Sequence, residues 1–325
     1  MNQLVDRDGS AISVASLAEW EQKRDCIYDA AQEIMGSLPG DEKRCDLSVD
    51  LVEEVDCGDY VRRLITYAAE PGDRARAYLL IPKSALNGKP CSAVLCPHPT
   101  HAVFGYKTVV GLSDRLNRSY ASELAERGFV TIAPSYPMLA GYWPDVFGLG
   151  YESGTMKAIW DNIRAIDLLE TLPFVKPGPV GAVGHSLGGH NSVYTAVFEP
   201  RIGAVATSCG LDSYVDYKDG NLAGWMQDRY MPKLRSYADR LWDIPFDFHD
   251  LIAVLAPRPC FIAAPLHDNN FKWDSVDRVV EAASRVYALY DAEENLTVAH
   301  PDCEHDFPDE MRKRAYDLFE KQLGS

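Results

Sequence analysis

The stretch PVGAVGHSLGGHNSVYTAVF, residues 179–198, decides the fold. An apolar strand leads into Gly184-His185-Ser186-Leu187-Gly188-Gly189, and a helical pattern follows. The spacing G-x-S-x-G in this context is typical of a sharp strand-to-helix turn that exposes a serine hydroxyl. We expect Gly184 and Gly188 to lie where any Cβ would meet neighbouring backbone. We predict that Ser186 is a nucleophile and that the Leu187 N–H, at the helix start, binds an oxyanion.

Around this turn, apolar strands alternate with amphipathic helices from Cys91 to the C terminus. Such alternation is typical of a parallel sheet covered by helices on both faces. Earlier in the chain, two alternating segments, 47–55 and 60–70, flank a hairpin turn at 56–59, and a third strand ends at Pro82. The predicted fold class is therefore α/β, with a mostly parallel central sheet, antiparallel N-terminal strands and helices on both faces.

We predict one domain over residues 1–325, with 1–45 as a helical N-terminal extension and 211–250 as a lid insertion. Residues 16–36 have a helical pattern that Ser16 can cap and Gly36 can end. This helix could cover an end of the core or form a dimer contact. The segment 211–250 interrupts the alternation and is rich in aromatic residues, which favours a packed lid over a disordered linker.

Composition excludes several classes of partner. The chain has 325 residues, 46% of them hydrophobic, and a formal net charge of −16. These are globular proportions, and the acidic balance argues against nucleic acid and anionic membranes. We see no signal peptide or membrane-spanning run, and the eight cysteines form no CxxC pair. We therefore expect a cytoplasmic protein with reduced cysteines, without a metal or cofactor, and as a possible homodimer.

A serine nucleophile needs a base and an acid, which in this kind of fold follow it in the chain. His305 lies in the loop 301–308 after the last strand, and we predict that it is the base, whereas His300 at the strand end is better placed to pack. Asp268 follows the preceding strand and is the predicted acid. Asp212, one strand earlier, is the alternative.

The second oxyanion donor and the pocket are predicted from loops. Thr100 N–H is the candidate donor in the loop after the strand SAVLC, because Pro99 has no N–H. The loop after strand FVTIAP and the predicted lid both lie where ligands bind in such sheets. The candidate pocket residues are His98, which we also expect to brace its loop, Tyr142, Trp143, Trp225 and Tyr230.

Taken together, these motifs resemble the α/β-hydrolase superfamily over residues 60–325. The residues 184–191, Ala256-Pro257-Arg258-Pro259 and Pro301-Asp302-Cys303-Glu304-His305-Asp306-Phe307-Pro308 are most similar to its bacterial dienelactone-hydrolase-like and acetyl-xylan-esterase-like branch. The resemblance implies ester hydrolysis without a cofactor. One departure is that true dienelactone hydrolases use a cysteine nucleophile, whereas this chain has Ser186.

The predicted function is hydrolysis of carboxylic esters through an acyl-enzyme, with Ser186, His305 and Asp268 as the triad. The expected partner is a small-molecule ester, either small, carbohydrate-linked of acetyl type, or aryl. Two alternatives remain: a peptidase or amidase of prolyl-oligopeptidase type, and a non-catalytic receptor or scaffold with a hydrolase fold.

Overall fold

The computed structural model describes residues 4–5, 11–12 and 14–324, so part of the predicted N-terminal extension lies outside the described residues. The strands are β1 (Leu4–Val5), β2 (Ala11–Ile12), β3 (Asp50–Asp56), β4 (Tyr60–Glu70), β5 (Asp73–Pro82), β6 (Ala93–Leu95), β7 (Val130–Pro134), β8 (Val180–His185), β9 (Ile202–Ser208), β10 (Cys260–Ala263) and β11 (Leu296–Ala299). The helices are α1 (Leu17–Met35), α2 (Lys83–Leu86), α3 (Tyr120–Glu126), α4 (Gly154–Thr171), α5 (Leu187–Phe198), α6 (Phe248–Val254), α7 (Trp273–Leu289) and α8 (Asp309–Leu323). Within the described ranges, no helix has the length and apolar character needed to cross a bilayer.

The central sheet has the strand order β11-β10-β9-β8-β6-β7-β5-β4-β3. Neighbouring strands among β6 to β11 are parallel. The pairs β3–β4, β4–β5 and β5–β7 are antiparallel. Among the described residues, the short strands β1 and β2 form a separate antiparallel pair. The predicted mostly parallel sheet with antiparallel N-terminal strands is therefore confirmed.

The sheet has a hydrophobic core on each face. Side chains of α3 and α8, such as Leu124 and Phe319, bury one face. Side chains of α4, α5, α6 and α7 bury the other face, together with the apolar stripe of α1. Helices on both faces agree with the prediction from apolar strands, which have no polar face to turn to water.

Helix α1 begins and ends where its sequence predicts. The Ser16 hydroxyl accepts the Glu19 N–H, and Gly36 ends the helix at φ 96°. Trp20 and Ile34 on its stripe are fully buried in the core. This burial is what we expect of a helix that covers the core, while the dimer contact stays a prediction.

Residues 211–250 contain four short 3₁₀ turns, Tyr217–Gly220, Leu222–Gly224, Pro232–Tyr237 and Leu241–Asp243, and the start of α6. Aromatic side chains hold this segment against the body: Trp225 is 3% exposed and its ring lies 5.7 Å from that of Phe248. The segment is packed, whereas its role as a lid and the division of the chain into one domain stay predictions.

Candidate active site

Ser186 lies on a strained turn between β8 and α5. Its backbone adopts φ 56° and ψ −121°, a conformation that L-residues rarely take and that typically costs about 1–3 kcal/mol. A Cβ on Gly184 would lie 2.1 Å from the Gly188 carbonyl, and one on Gly188 would lie 2.2 Å from the Pro97 carbonyl oxygen. The predicted need for glycine at both positions is confirmed, because backbone atoms occupy the space of a side chain.

The structure brings His305 and Asp268 together. The loops after β11 and β10 carry them to the same sheet edge as Ser186, because the carboxyl ends of parallel strands share one edge. His305 Nδ1 lies 2.9 Å from both carboxylate oxygens of Asp268. With Nδ1 engaged in this way, Nε2 is the ring atom left for proton transfer.

The surroundings of the Asp268 carboxylate keep it ionised, so that it can stabilise a protonated imidazole. Its side chain is fully buried, and two backbone N–H groups, from Asn270 at 2.7 Å and Phe271 at 3.2 Å, donate to it. Burial alone would raise the pKa of Asp268, but the hydrogen bond and charge of His305, with these two donors, keep it below its ordinary value. Asp268 is therefore ionised at neutral pH.

The two alternative residues are engaged elsewhere. His300 Nδ1 bonds the Ala264 carbonyl at 2.8 Å, and its Nε2 lies 2.9 Å from Asp277. Asp212 accepts the Lys272 N–H at 3.0 Å, and its other oxygen has no partner among the described residues. Burial raises the pKa of Asp212 to about 8. The structure thus pairs His305 with Asp268 rather than with Asp212.

Ser186, His305 and Thr100 line one cleft of about 140 Å³. The residues that line this cleft are Pro99, Thr100, His101, Thr108, Arg115, Arg118, His185, Ser186 and His305. The cleft brings the predicted nucleophile, base and oxyanion loop into contact with one small volume, which is the arrangement that acyl transfer requires.

The N–H groups of Leu187 and Thr100 stay the predicted oxyanion donors, and the structure shows the surroundings of both residues. Leu187 is the first residue of α5, so its N–H has no acceptor within the helix. The close approach of the Pro97 carbonyl to Gly188 brings the Thr100 loop over the helix start. The Thr100 hydroxyl lies 2.9 Å from the Tyr230 hydroxyl, which fixes this loop further.

His98 braces its loop and is not among the residues that line the cleft, so its role as a pocket residue stays a prediction. Its Nδ1–H donates to the Pro99 carbonyl at 2.8 Å, and its Nε2 accepts the Tyr136 N–H at 2.9 Å. Burial lowers the pKa of His98 to about 4, so the ring is neutral. Both ring nitrogens are engaged, and proton chemistry is left to His305.

The other four predicted pocket residues also do not line the cleft. Tyr142 is buried, with its hydroxyl 2.6 Å from Asp73, and Trp143 is 71% exposed to solvent. Trp225 is buried among aromatic rings. Tyr230 approaches the cleft only through its bond to Thr100. Tyr142 and Trp225 pack against protein and Trp143 is exposed to solvent, so a contact of these residues with the substrate stays a prediction.

The sequence did not reveal three residues beside the base. Arg118 pairs with Asp306 and donates to the His305 carbonyl at 3.1 Å, so it holds the histidine loop. The His185 ring lies 4.8 Å from that of His305. Arg115 also lines the cleft. Neither arginine belongs to a periodic pattern, and the only available signal was the position of His185 next to the nucleophile.

His305 and two neighbouring residues form a group of three potential metal ligands. Ligand atoms of Cys209, Asp268 and His305 lie within 4.8 Å of one another. The Cys209 thiol donates to the Asp306 carbonyl at 3.2 Å, and burial raises the pKa of this thiol well above its ordinary value. A protonated thiol is a poor metal ligand, and the imidazole Nδ1 already bonds the Asp268 carboxylate, so this arrangement fits the predicted hydrogen-bonded triad better than a metal site.

Comparison with known proteins finds hydrolases and esterases. A family profile described as "Glucuronyl esterase, fungi" matches residues 135–290. The chain is 24% identical over 276 residues to the putative hydrolase YtaP of Bacillus subtilis, covering 78% of this chain and 85% of YtaP. It is 28% identical over 150 residues to the 4-O-methyl-glucuronoyl methylesterase of Hypocrea jecorina, covering 41% of this chain and about a third (32%) of that enzyme's length.

Solved structures share the fold over almost the whole chain. The glucuronoyl esterase from Solibacter usitatus superposes with a TM-score of 0.77 at 17% identity, covering 99% of this chain and 97% of the esterase. A putative acetyl xylan esterase from Bacteroides fragilis superposes with a TM-score of 0.64 at 18% identity, covering 94% and 83% of the two chains. The chain thus has the α/β fold of these solved esterases, which confirms the predicted fold class, and the esterases to which it is similar belong to the predicted enzyme class, the carboxylic ester hydrolases.

Proposed function

We propose that the protein is a serine esterase that hydrolyses carboxylic esters with Ser186, His305 and Asp268 as its triad. The observation that carries the proposal is the 2.9 Å contact of His305 Nδ1 with both oxygens of buried Asp268, in the same cleft as the strained Ser186. This is the arrangement that lets an imidazole take a proton from a serine hydroxyl.

In the first step, His305 Nε2 takes the proton of Ser186 Oγ, and Oγ bonds to the ester carbonyl carbon. The carbonyl oxygen becomes an oxyanion that the Leu187 and Thr100 N–H groups bind. The bond to the alcohol then breaks, and the alcohol leaves with the proton from His305. In the second step, water gives a proton to His305 and its oxygen bonds to the acyl carbon. The bond from that carbon to Ser186 Oγ then breaks, and Oγ takes the proton back from His305, which releases the carboxylic acid and restores Ser186.

For the substrate we propose a carbohydrate-linked ester. Support comes from the names of the relatives, glucuronoyl methylesterases and a putative acetyl xylan esterase. An ester of a sugar acid and an acetylated sugar differ in which side of the bond carries the sugar. Turnover of methyl glucuronate and of acetylated xylose would therefore separate the two forms of the proposal.

The test of the mechanism is Ser186→Ala. We expect kcat on 4-nitrophenyl acetate to fall by about 10⁵-fold or more, since the nucleophile is lost while the fold stays. A fluorophosphonate probe is expected to label the wild type and leave the variant unlabelled. Ser284→Ala, which removes a hydroxyl that bonds only within α7, is the matched control and should keep wild-type turnover. A wild-type protein that is neither labelled nor active on any ester would refute the proposal.

A further inference from the structure

The cleft is lined by two arginines in a protein of strongly negative charge. Arg115 and Arg118 both line it, and none of its lining residues is an aspartate or glutamate. The chain as a whole has a formal net charge of −16. The charge that lines the cleft is thus opposite in sign to the net charge of the molecule. The two arginines differ in their contacts.

Arg118 is explained by the protein itself. It is 7% exposed, pairs with the Asp306 carboxylate and donates to the His305 carbonyl. Its charge is therefore neutralised by a fixed partner, and its donors are used to hold the loop of the base. Because its charge and donors are already engaged, Arg118 is poorly placed to bind a ligand.

Arg115 has no such partner. Its side chain is exposed, and no carboxylate of the described residues lies within ion-pair distance of its guanidinium; only its backbone N–H is bonded, to Ser113 at 3.3 Å. Its charge nevertheless reaches the site, because it helps to hold the pKa of His185 well below its ordinary value, after burial and the charges of Arg118 and His305. A free guanidinium thus faces the space beside Ser186.

We propose that Arg115 is a specificity-determining residue that binds a carboxylate carried by the ester substrate outside the scissile bond. The inference rests on the proposed esterase function. A guanidinium presents parallel N–H donors that match the two oxygens of a carboxylate, and such charge-assisted pairs are stronger than neutral hydrogen bonds. Because the overall charge repels anions, a preference for an anionic ester would report this local site and not the field of the whole protein.

Two pairs of esters test the inference. The first pair is 4-nitrophenyl hydrogen glutarate and its neutral methyl ester, which place the carboxylate on the acyl side. The second is 4-acetoxybenzoate and its methyl ester, which place it on the alcohol side. We expect the wild type to prefer the anionic member of one pair, and that pair identifies the side. Arg115→Gln should raise KM for that anionic ester by about 5- to 20-fold with little change in kcat.

The controls separate a local contact from a general charge effect. Arg115→Lys should keep part of the preference, and 1 M NaCl should weaken it in the wild type. Arg127→Gln removes an arginine that pairs with Asp317 and Glu320 on the surface, and it should leave both pairs unchanged. Turnover of the neutral esters with no carboxylate preference in either pair, or a preference that survives Arg115→Gln, overturns the inference and leaves the esterase function standing. Absence of turnover for all four esters overturns the inference, and the proposed function falls with it only if the wild type is also unlabelled by the fluorophosphonate probe and inactive on every other ester tested.

Discussion

The turn at 184–189, which joins β8 directly to α5, and the mostly irregular segment 211–250 are held in place by different contacts. Backbone against backbone fixes the turn: the Gly188 carbonyl fills the space of a Gly184 side chain. Ring contacts hold the segment, in which Trp225 packs 5.5 Å from Tyr214 and 4.7 Å from His190. The first region is determined by local glycine spacing and the second by contacts distant in sequence. We therefore expect substitutions in the catalytic edge to change chemistry and those in the segment to change stability.

The largest test of this difference compares two carboxylates, Asp268 at the catalytic edge and Asp212 in the segment. Asp268→Asn should lower kcat on 4-nitrophenyl acetate by about 10⁴-fold, because the amide cannot hold His305 in the working tautomer. Asp212→Asn should lower it by less than about 10-fold, since Asp212 bonds the Lys272 N–H and not His305. The measurement is single-turnover kinetics with both variants checked by circular dichroism. If Asp212→Asn were the more damaging, Asp212 would be the acid and the division between the regions would fail.

A second test concerns the tryptophans of the segment. Trp225→Ala should lower the free energy of unfolding by about 3–5 kcal/mol, because a fully packed ring leaves a cavity. Trp242→Ala is the matched control: its side chain is 67% exposed, and we expect a change within about 0.5 kcal/mol. Urea unfolding measures both. Loss of activity in folded Trp225→Ala without loss of stability would show that the ring serves the substrate and not the packing.

How far the sequence predicted the molecule follows from the same contrast. Ser186, Asp268 and His305 each follow an apolar strand, and parallel strands deliver their following loops to one edge, so their meeting could be predicted. The aromatic residue type at Trp225 indicates burial or stacking but not which neighbour it meets. Arg118 was missed because the contact that gives it a role, with Asp306, joins residues 188 positions apart. Local geometry and the meeting of loops that follow parallel strands were predictable, whereas the contacts of side chains that follow no strand, such as Arg118, were not.

The smallest expected effect is the pH dependence that buried Asp212 gives to the segment. Burial raises its pKa in the folded protein to about 8, well above the ordinary aspartate value of 3.8. Between these two values the unfolded chain has released the proton while the folded protein keeps it, so stability falls as pH rises through this window. Asp212→Asn removes this titration. The free energy of unfolding of the variant should match that of the wild type near pH 4 and exceed it by about 1–3 kcal/mol near pH 9, because the wild type then carries a buried charge with one unpartnered oxygen.

Urea unfolding at the two pH values measures the difference, with Asp239→Asn, an exposed aspartate of the same segment, as control. An equal change in the free energy of unfolding on Asp212→Asn at both pH values would mean that Asp212 is ionised at both. A cation would then have to lie near Asp212, and the aromatic packing of the segment does not provide one.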